Sequence, residues 1–431
     1  MRPWFLFFVV AIGVGGFFAL MVALGRTPVI HTLLPPGIFY HWLVGHVDSA
    51  LIIGLLSFLI LLWHRVFRQK ADRVGFVLCG VGFFLIALTS LLGLGTALYN
   101  NYVPTILHPL FFLGLSLFGL GYLTTSLRFL KSSLQNLISD DPIRSVLSVS
   151  VVLSVLTVVS VGISLVSTPP GEPALYFERL YWIPGHIHQF VNASLIISGW
   201  ILTARTAGFS VAEPVTYLNL FLLVFPLVFL AVQSTGADPL SPEVKKLTTL
   251  GYAVGIGVPT LVWAFYLLAR VSFRRGFYSH VLGLSVLFYL IGAGMGYLIA
   301  GSDLRIPAHY HGVMGSLLIG VMGVTYHLLK EMGYRDKLPL LVKAQPFLYW
   351  FGMVLFVLGL FWAGVYGSPR KVFGTDYIEN LKVYLFMAVM GVGSVLSVLG
   401  GGMFVLFVIY SILRPGKGVR HATEGKTQQA G

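Results

Sequence analysis

Residues 306–328 read IPAHYHGVMGSLLIGVMGVTYHL. The stretch carries no Asp, Glu, Lys or Arg. At about 1.5 Å of rise per residue, a helix of this length crosses a hydrocarbon core of about 30 Å. A helix satisfies its own backbone hydrogen bonds, which lipid cannot do for it. Yet this apolar segment contains His309 and His311. Ligand-capable side chains inside a span are costly, so each marks a candidate functional site.

The rest of the chain repeats the pattern. Apolar runs occur at roughly 4–24, 40–64, 74–99, 104–127, 145–166, 183–204, 212–233, 247–269, 278–300, 306–328, 346–366 and 383–413. Of the 431 residues, 57% are hydrophobic and 10% charged. Soluble chains are about 25% charged, so this one cannot cover a globule in water, and the bilayer must be its solvent. The expectation is an all-α, polytopic membrane bundle of about twelve transmembrane helices over residues 1–413. A polar tail, 414–431, rich in Gly, Lys and Gln, reads as disordered. The first run reads as a span rather than a signal peptide, being long and lacking a clear small-x-small cleavage site. The longest loops on the outer side are expected near 167–182 and 367–382.

The formal net charge of +13 would suggest nucleic acid on a soluble protein. Here the basic residues sit in short loops between apolar runs, so they point to topology and anionic lipid, and no nucleic-acid partner is expected. With the N-terminus inside, 20 of the 28 Lys and Arg fall on the inner side. Among them are Arg65, Arg68, Lys70 and Arg73, then Arg270, Arg274 and Arg275, and in the tail Lys417, Arg420 and Lys426. The positive-inside rule then places both termini in the cytoplasm of a cell with this protein in its inner membrane. The single cysteine, Cys79, excludes an internal disulfide and a cysteine-based metal cluster.

Five histidines fall inside spans: His46 in the second, His186 and His188 in the sixth, His309 and His311 in the tenth. All three spans start outside under the charge-derived topology, so all five lie in the outer third of the membrane. They are either polar residues hydrogen-bonded between helices or a layer of metal or haem ligands. The pair His309–Tyr310–His311 discriminates. Residues i and i+2 point about 200° apart on a helix, so they cannot share one ion without unwinding it. They can ligate two different irons, one on each flank, and imidazole is an axial haem ligand. A second imidazole on one flank would complete a six-coordinate iron for electron transfer. A lone imidazole on the other would leave a position for a gas. Asp48, two residues after His46, is the only carboxylate well inside a span, and either pairs with a polar neighbour or lies on a proton or water path. Of the remaining histidines, His31 and His41 lie in or near an outer loop, His108 could cap the fourth span, and His64, His280 and His327 should snorkel to the interface. His421 belongs to the tail.

Taken together, these residues resemble the heme-copper oxidase superfamily: cytochrome c oxidase subunit I and the large subunit of nitric oxide reductases. Twelve spans in matching order extend the likeness over nearly the whole chain. Its most specific mark is Ala308-His309-Tyr310-His311-Gly312, similar to the family's segment between two haems. The resemblance implies that His309 is the proximal ligand of a high-spin haem and the residue at the catalytic centre. It implies that His311 and His46 are the axial ligands of a low-spin haem. Gly185-His186 resembles the helix that gives one ligand to the family's active-site copper. Gly236-Ala237-Asp238-Pro239 and Val258-Pro259-Thr260 resemble its seventh and eighth helices. Trp362-Ala363-Gly364 with Ser368-Pro369-Arg370-Lys371 resembles the loop whose basic pair holds haem propionates, which makes Arg370 and Lys371 cofactor-binding residues.

The departures are as specific. Where the family has a His-His pair before Gly236, this chain has Gln233-Ser234-Thr235. Phe190 stands where many oxidases carry a cross-linked tyrosine, and the sixth span has none of the glutamates of nitric oxide reductases. Any second metal, copper or iron, would be left with His186 and Gln233, a poor donor set. The resemblance implies two haems, of b type or else a or o, and a respiratory reductase subunit passing electrons from the low-spin to the high-spin haem, with O2 or NO as the gas. It also implies a partner subunit of cytochrome c or copper type as electron donor. The degenerate metal site opens an alternative, a non-catalytic dihaem cytochrome that transfers electrons or senses a gas. A haem-free transporter is the third reading.

Overall fold

The computed structural model describes residues 1–69, 72–211, 216–271, 276–335 and 337–414. The expected tail lies outside the described residues apart from Arg414. So do Lys70, Arg274 and Arg275.

Among the described residues, twelve helices are long and apolar enough to cross a membrane: α1 (Arg2–Leu24), α2 (Pro36–Phe67), α3 (Arg73–Leu92), α4 (Pro109–Leu134), α5 (Pro142–Ser167), α6 (Pro173–Thr206), α7 (Tyr217–Ser234), α8 (Pro242–Leu268), α9 (Phe277–Gly296), α10 (Arg305–Glu331), α11 (Leu340–Val365) and α12 (Leu381–Leu413). Together they make a polytopic all-α membrane bundle. Proline sits at the first turn of α4, α5 and α8, where its missing N–H costs nothing. Side chains cap several N-termini: Asp72 accepts from Gly75 N–H and Asp141 from Ile143 N–H. His108 caps α4 as the sequence suggested, its Nδ1 accepting from Leu110 N–H at 3.3 Å.

Two of the boundaries that differ from the hydrophobic pattern bear on the site. The third apolar run does not stay helical to residue 99. Gly93 and Gly95 take φ of +64° and +73°, and the chain leaves the helix into an antiparallel hairpin, β1 (Thr96–Leu98) against β2 (Thr105–Leu107). Apolar content alone cannot separate such a hairpin from the last turns of a helix. The loop expected at 167–182 is also shorter, because α6 begins at Pro173, ten residues ahead of its apolar stretch.

The backbone gathers into two compact units. One holds α1 to α5, α6 as far as Ile201, α7, α8 and the segment Lys371–Gly374. The other holds the end of α6, α9 to α12 and the remaining loop between α11 and α12. Each packs its helices through small residues, as helices do in lipid, where close backbone approach replaces the hydrophobic drive. In the second unit, a Cβ on Gly292 of α9 would lie 2.5 Å from Val313 N and 2.8 Å from Gly312 Cα of α10. Gly82 and Gly114 serve α3 and α4 in the first unit, and Gly352 and Gly393 serve α11 and α12 in the second.

Burial separates the helices. The apolar windows of α6, α10 and α2 are 89%, 83% and 72% buried, and no other exceeds 56%. The three most enclosed helices are the three that carry the intramembrane histidines.

Candidate functional site

His309 stands in the second turn of α10. Its Nδ1 is 2.8 Å from the carbonyl oxygen of Gly292 on α9. The close Gly292–Gly312 approach is what brings that carbonyl within reach, and Gly296 on the same helix leaves room for the ring: a Cβ there would lie 2.8 Å from His309 Nδ1. His311 turns its Nδ1 onto Pro307 O of its own helix at 2.7 Å, and its ring meets Phe356 of α11 edge-on at 5.0 Å. His46, in the first unit, places Nδ1 3.0 Å from Gly15 O of α1. There, Gly15 lets α1 approach Ala50 of α2 so closely that a Cβ would lie 2.5 Å from the alanine Cβ.

A carbonyl oxygen can only accept. Each of the three imidazoles therefore carries its proton on Nδ1 when neutral, and Nε2 carries the lone pair. Holding one ring nitrogen on a carbonyl fixes tautomer and ring orientation, and raises the basicity of the other. These are the properties an axial haem ligand requires, so the donor set fits an iron porphyrin.

His186 is held differently. Its Nδ1 donates to Trp182 O at 2.6 Å, one turn earlier in α6, and its Nε2 lies 2.9 Å from the hydroxyl of Tyr102. Tyr102 comes from the tip of the β1–β2 hairpin, with a left-handed φ of +67°. The ring fits because residue 185 is glycine: a Cβ there would overlap the Tyr102 ring at Cγ. Tyr252 of α8 stacks on His186 at 4.6 Å and donates its hydroxyl to that of Tyr102 at 3.2 Å. Gln233 is engaged elsewhere. Its Oε1 accepts from Ser160 Oγ at 2.7 Å, and its Nε2 donates to Ser160 O at 3.0 Å and to Ser164 Oγ at 2.7 Å. The two residues expected at a second metal thus each spend their donors on other protein groups. Among the described residues, no three His, Cys, Asp or Glu gather as a metal site. An axial haem iron needs only one or two, so this does not bear on the haem ligands.

His188 Nε2 is buried with no hydrogen-bond partner among the described residues, and so are both carboxylate oxygens of Asp48, which is 1% exposed. Asp48 lies in a π-helical stretch of α2, Val47–Gly54, that starts directly after His46. His64 does not snorkel: it is buried, bonds Gln69 O through Nδ1 and packs edge-on to Phe129. His327, by contrast, pairs with Glu331 at 2.9 Å.

The basic pair divides between the units. Lys371, in the first, has a left-handed φ of +58° and reaches Tyr99 O and Asn101 Oδ1. Asn101 is also fixed by Glu178 of α6, which accepts from its N–H at 2.8 Å and its Nδ2 at 2.5 Å. Arg370, in the second, follows Pro369, whose backbone bridges to Asp303. Leu304 N–H donates to Ser368 O at 3.2 Å, and Arg305 chelates Asp303 with 2.6 Å at its closest. The Arg305 guanidinium holds the Asp303 carboxyl below its ordinary value. Sequence reasoning missed the hairpin that presents Tyr102, and the role of Glu178 on α6 in holding it. Gly185 beside His186 was the one available signal, since glycine next to a ligand-type residue marks close approach of another group.

No protein-family model matches the chain. It is 50% identical to an uncharacterized protein of Aquifex aeolicus (strain VF5), over 80% of this chain and 88% of that one. It is 27% identical to an uncharacterized protein of Rickettsia prowazekii (strain Madrid E), over 94% of each. To cytochrome c oxidase subunit 1 of Thermus thermophilus it is 25% identical, over 68% of this chain and 60% of that one. The last is a distant similarity over part of the chain.

Proposed function

The chain belongs to one family with the Aquifex aeolicus protein, and we propose that it is the haem-carrying, subunit I-like component of a respiratory terminal reductase. The observation that carries this reading is the shared anchoring of His46, His309 and His311, each with Nδ1 on a backbone carbonyl. With Nδ1 on a carbonyl, each directs the lone pair to Nε2, the arrangement an axial haem imidazole needs.

In this reading His309 holds a high-spin haem, and His311 with His46 holds a low-spin haem. The assignment of the pair comes from the sequence resemblance. Arg370 and Lys371 bind the propionates, Arg370 bidentately through its planar fork. A haem of b type would supply reversible one-electron chemistry and a seat for O2 or NO. The protein's own work is to set the imidazole tautomers, exclude water from three enclosed helices and orient the carboxylates. A donor subunit of cytochrome c or copper type supplies electrons. The basic residues put both termini on the cytoplasmic side of the cell membrane.

The state of His186 and Gln233 favours a second reading, a dihaem cytochrome that carries electrons or senses a gas without turnover. Stopped-flow mixing of the reduced protein with O2 or NO separates the two. Repeated turnover supports the reductase; one binding event followed by no reoxidation beyond the stored electrons supports the carrier or sensor.

A further inference from the structure

The hydrogen bonds around His186 run in one direction. Tyr252 O–H donates to Tyr102 Oη, Tyr102 O–H donates to His186 Nε2, and His186 Nδ1–H donates to Trp182 O. The order is forced from the carbonyl end, because Trp182 O can only accept and so puts the imidazole lone pair on Nε2. His186 itself is 3% exposed. Rings of Tyr102, Trp182, Phe229 and Tyr252 lie within 4.6–6.3 Å of its own. In such surroundings the nitrogen that the Tyr102 hydroxyl already faces, 2.9 Å away, is a ready proton acceptor.

The fold commits backbone to this contact. Tyr102 takes a left-handed φ that non-glycine residues rarely adopt and that persists only where the surroundings over-determine it. Glu178 and Lys371 hold the adjoining Asn101, and Gly185 clears the space beneath the ring.

We propose that Tyr102 is a redox-active tyrosine whose phenolic proton passes to Nε2 of His186 when the ring is oxidised. A one-electron oxidant of potential above that of a phenol removes one electron from Tyr102. The Oη–H bond breaks and an N–H bond forms on His186, leaving a neutral phenoxyl radical beside an imidazolium. Tyr252 keeps its O–H on the phenoxyl oxygen. When a one-electron donor reduces the radical, the proton returns to Oη and no atom is lost. This chemistry is independent of the haem assignment, since any oxidant of that class serves.

Photo-oxidation of the purified full-length protein with ruthenium tris(bipyridine) and persulfate, read by electron paramagnetic resonance, tests it. Exposed tyrosines such as Tyr297 and Tyr217 give a background common to every variant. The wild type should show a further neutral tyrosyl signal that is lost in Tyr102→Phe and in His186→Phe. Tyr252→Phe, which leaves both partners in place, should keep that signal and raise its largest g component, because one hydrogen bond to the phenoxyl has gone. A wild-type spectrum equal to that of Tyr102→Phe overturns the proposal. So does a Tyr102 radical that forms undiminished in His186→Phe.

Discussion

At the level of single residues, what stands behind an imidazole decides what it can do in front. Gly292, Pro307 and Gly15 offer carbonyls to His309, His311 and His46, and so put the lone pair of each on Nε2, the atom that would ligate an iron in the proposed reading. His309→Ala should abolish CO binding to the reduced protein while sparing the low-spin band. His311→Ala or His46→Ala should remove the low-spin band; optical and magnetic circular dichroism spectra check both, and an unchanged low-spin spectrum in either would break the pairing. Gly185→Ala sets a methyl against Tyr102 Cγ with no room for it, so hairpin and α6 must part. Overpacking of this kind costs about 1–3 kcal/mol, read as a lower midpoint of thermal unfolding in detergent. Asp303 adds a dependence on pH. Its carboxyl is depressed below 3.8 by the Arg305 hydrogen bonds, so its stabilisation is complete above that value and is lost as pH falls through the lower, folded value. The wild type should therefore lose more thermal stability than Asp303→Asn on going from about pH 5 to about pH 3. The intramembrane histidines were legible in the sequence because an imidazole in an apolar run has no cheap explanation. Tyr102 was not, because nothing local to Asn100-Asn101-Tyr102 says which helix a hairpin tip will reach.

Among the elements, twelve apolar runs sufficed to find twelve helices, since in lipid the length of a run and the satisfaction of its backbone are one condition. Their ends were harder. Residues 93–99 and 104–107 are apolar enough to extend two helices, yet Gly93 and Gly95 turn the chain into a hairpin. The first turns of α6, from Pro173, are polar enough to resemble loop, although Glu172 caps them through the N–H groups of Ala174 and Leu175. The helices that bear the five histidines, α2, α6 and α10, are the three with the most buried apolar windows. Packing between α9 and α10 depends on backbone contact at Gly292 and Gly312. Gly292→Val should force these helices apart, displace the carbonyl that orients His309 and lower the unfolding midpoint, with a shift in the high-spin spectrum as the specific sign.

For the whole molecule, composition settled the class: a chain with this little charge belongs in a bilayer, and the structure has the spans to live there. Function was legible only as a choice between readings, because Gln233-Ser234-Thr235 stands where the resemblance led to the expectation of a histidine pair. The asymmetry of Lys and Arg predicts that reporters fused after Arg414 stay on the cytoplasmic face, which an alkaline phosphatase and fluorescent-protein fusion pair would read. A haem-free transporter would share the span count and the charge asymmetry, so neither separates it from a haem protein. The most direct trial is the pyridine haemochrome of the purified, unreconstituted protein, quantified per chain. Two haems per chain, falling to one in His309→Ala, is the predicted result; a haem-free protein of native fold would contradict the account at its root.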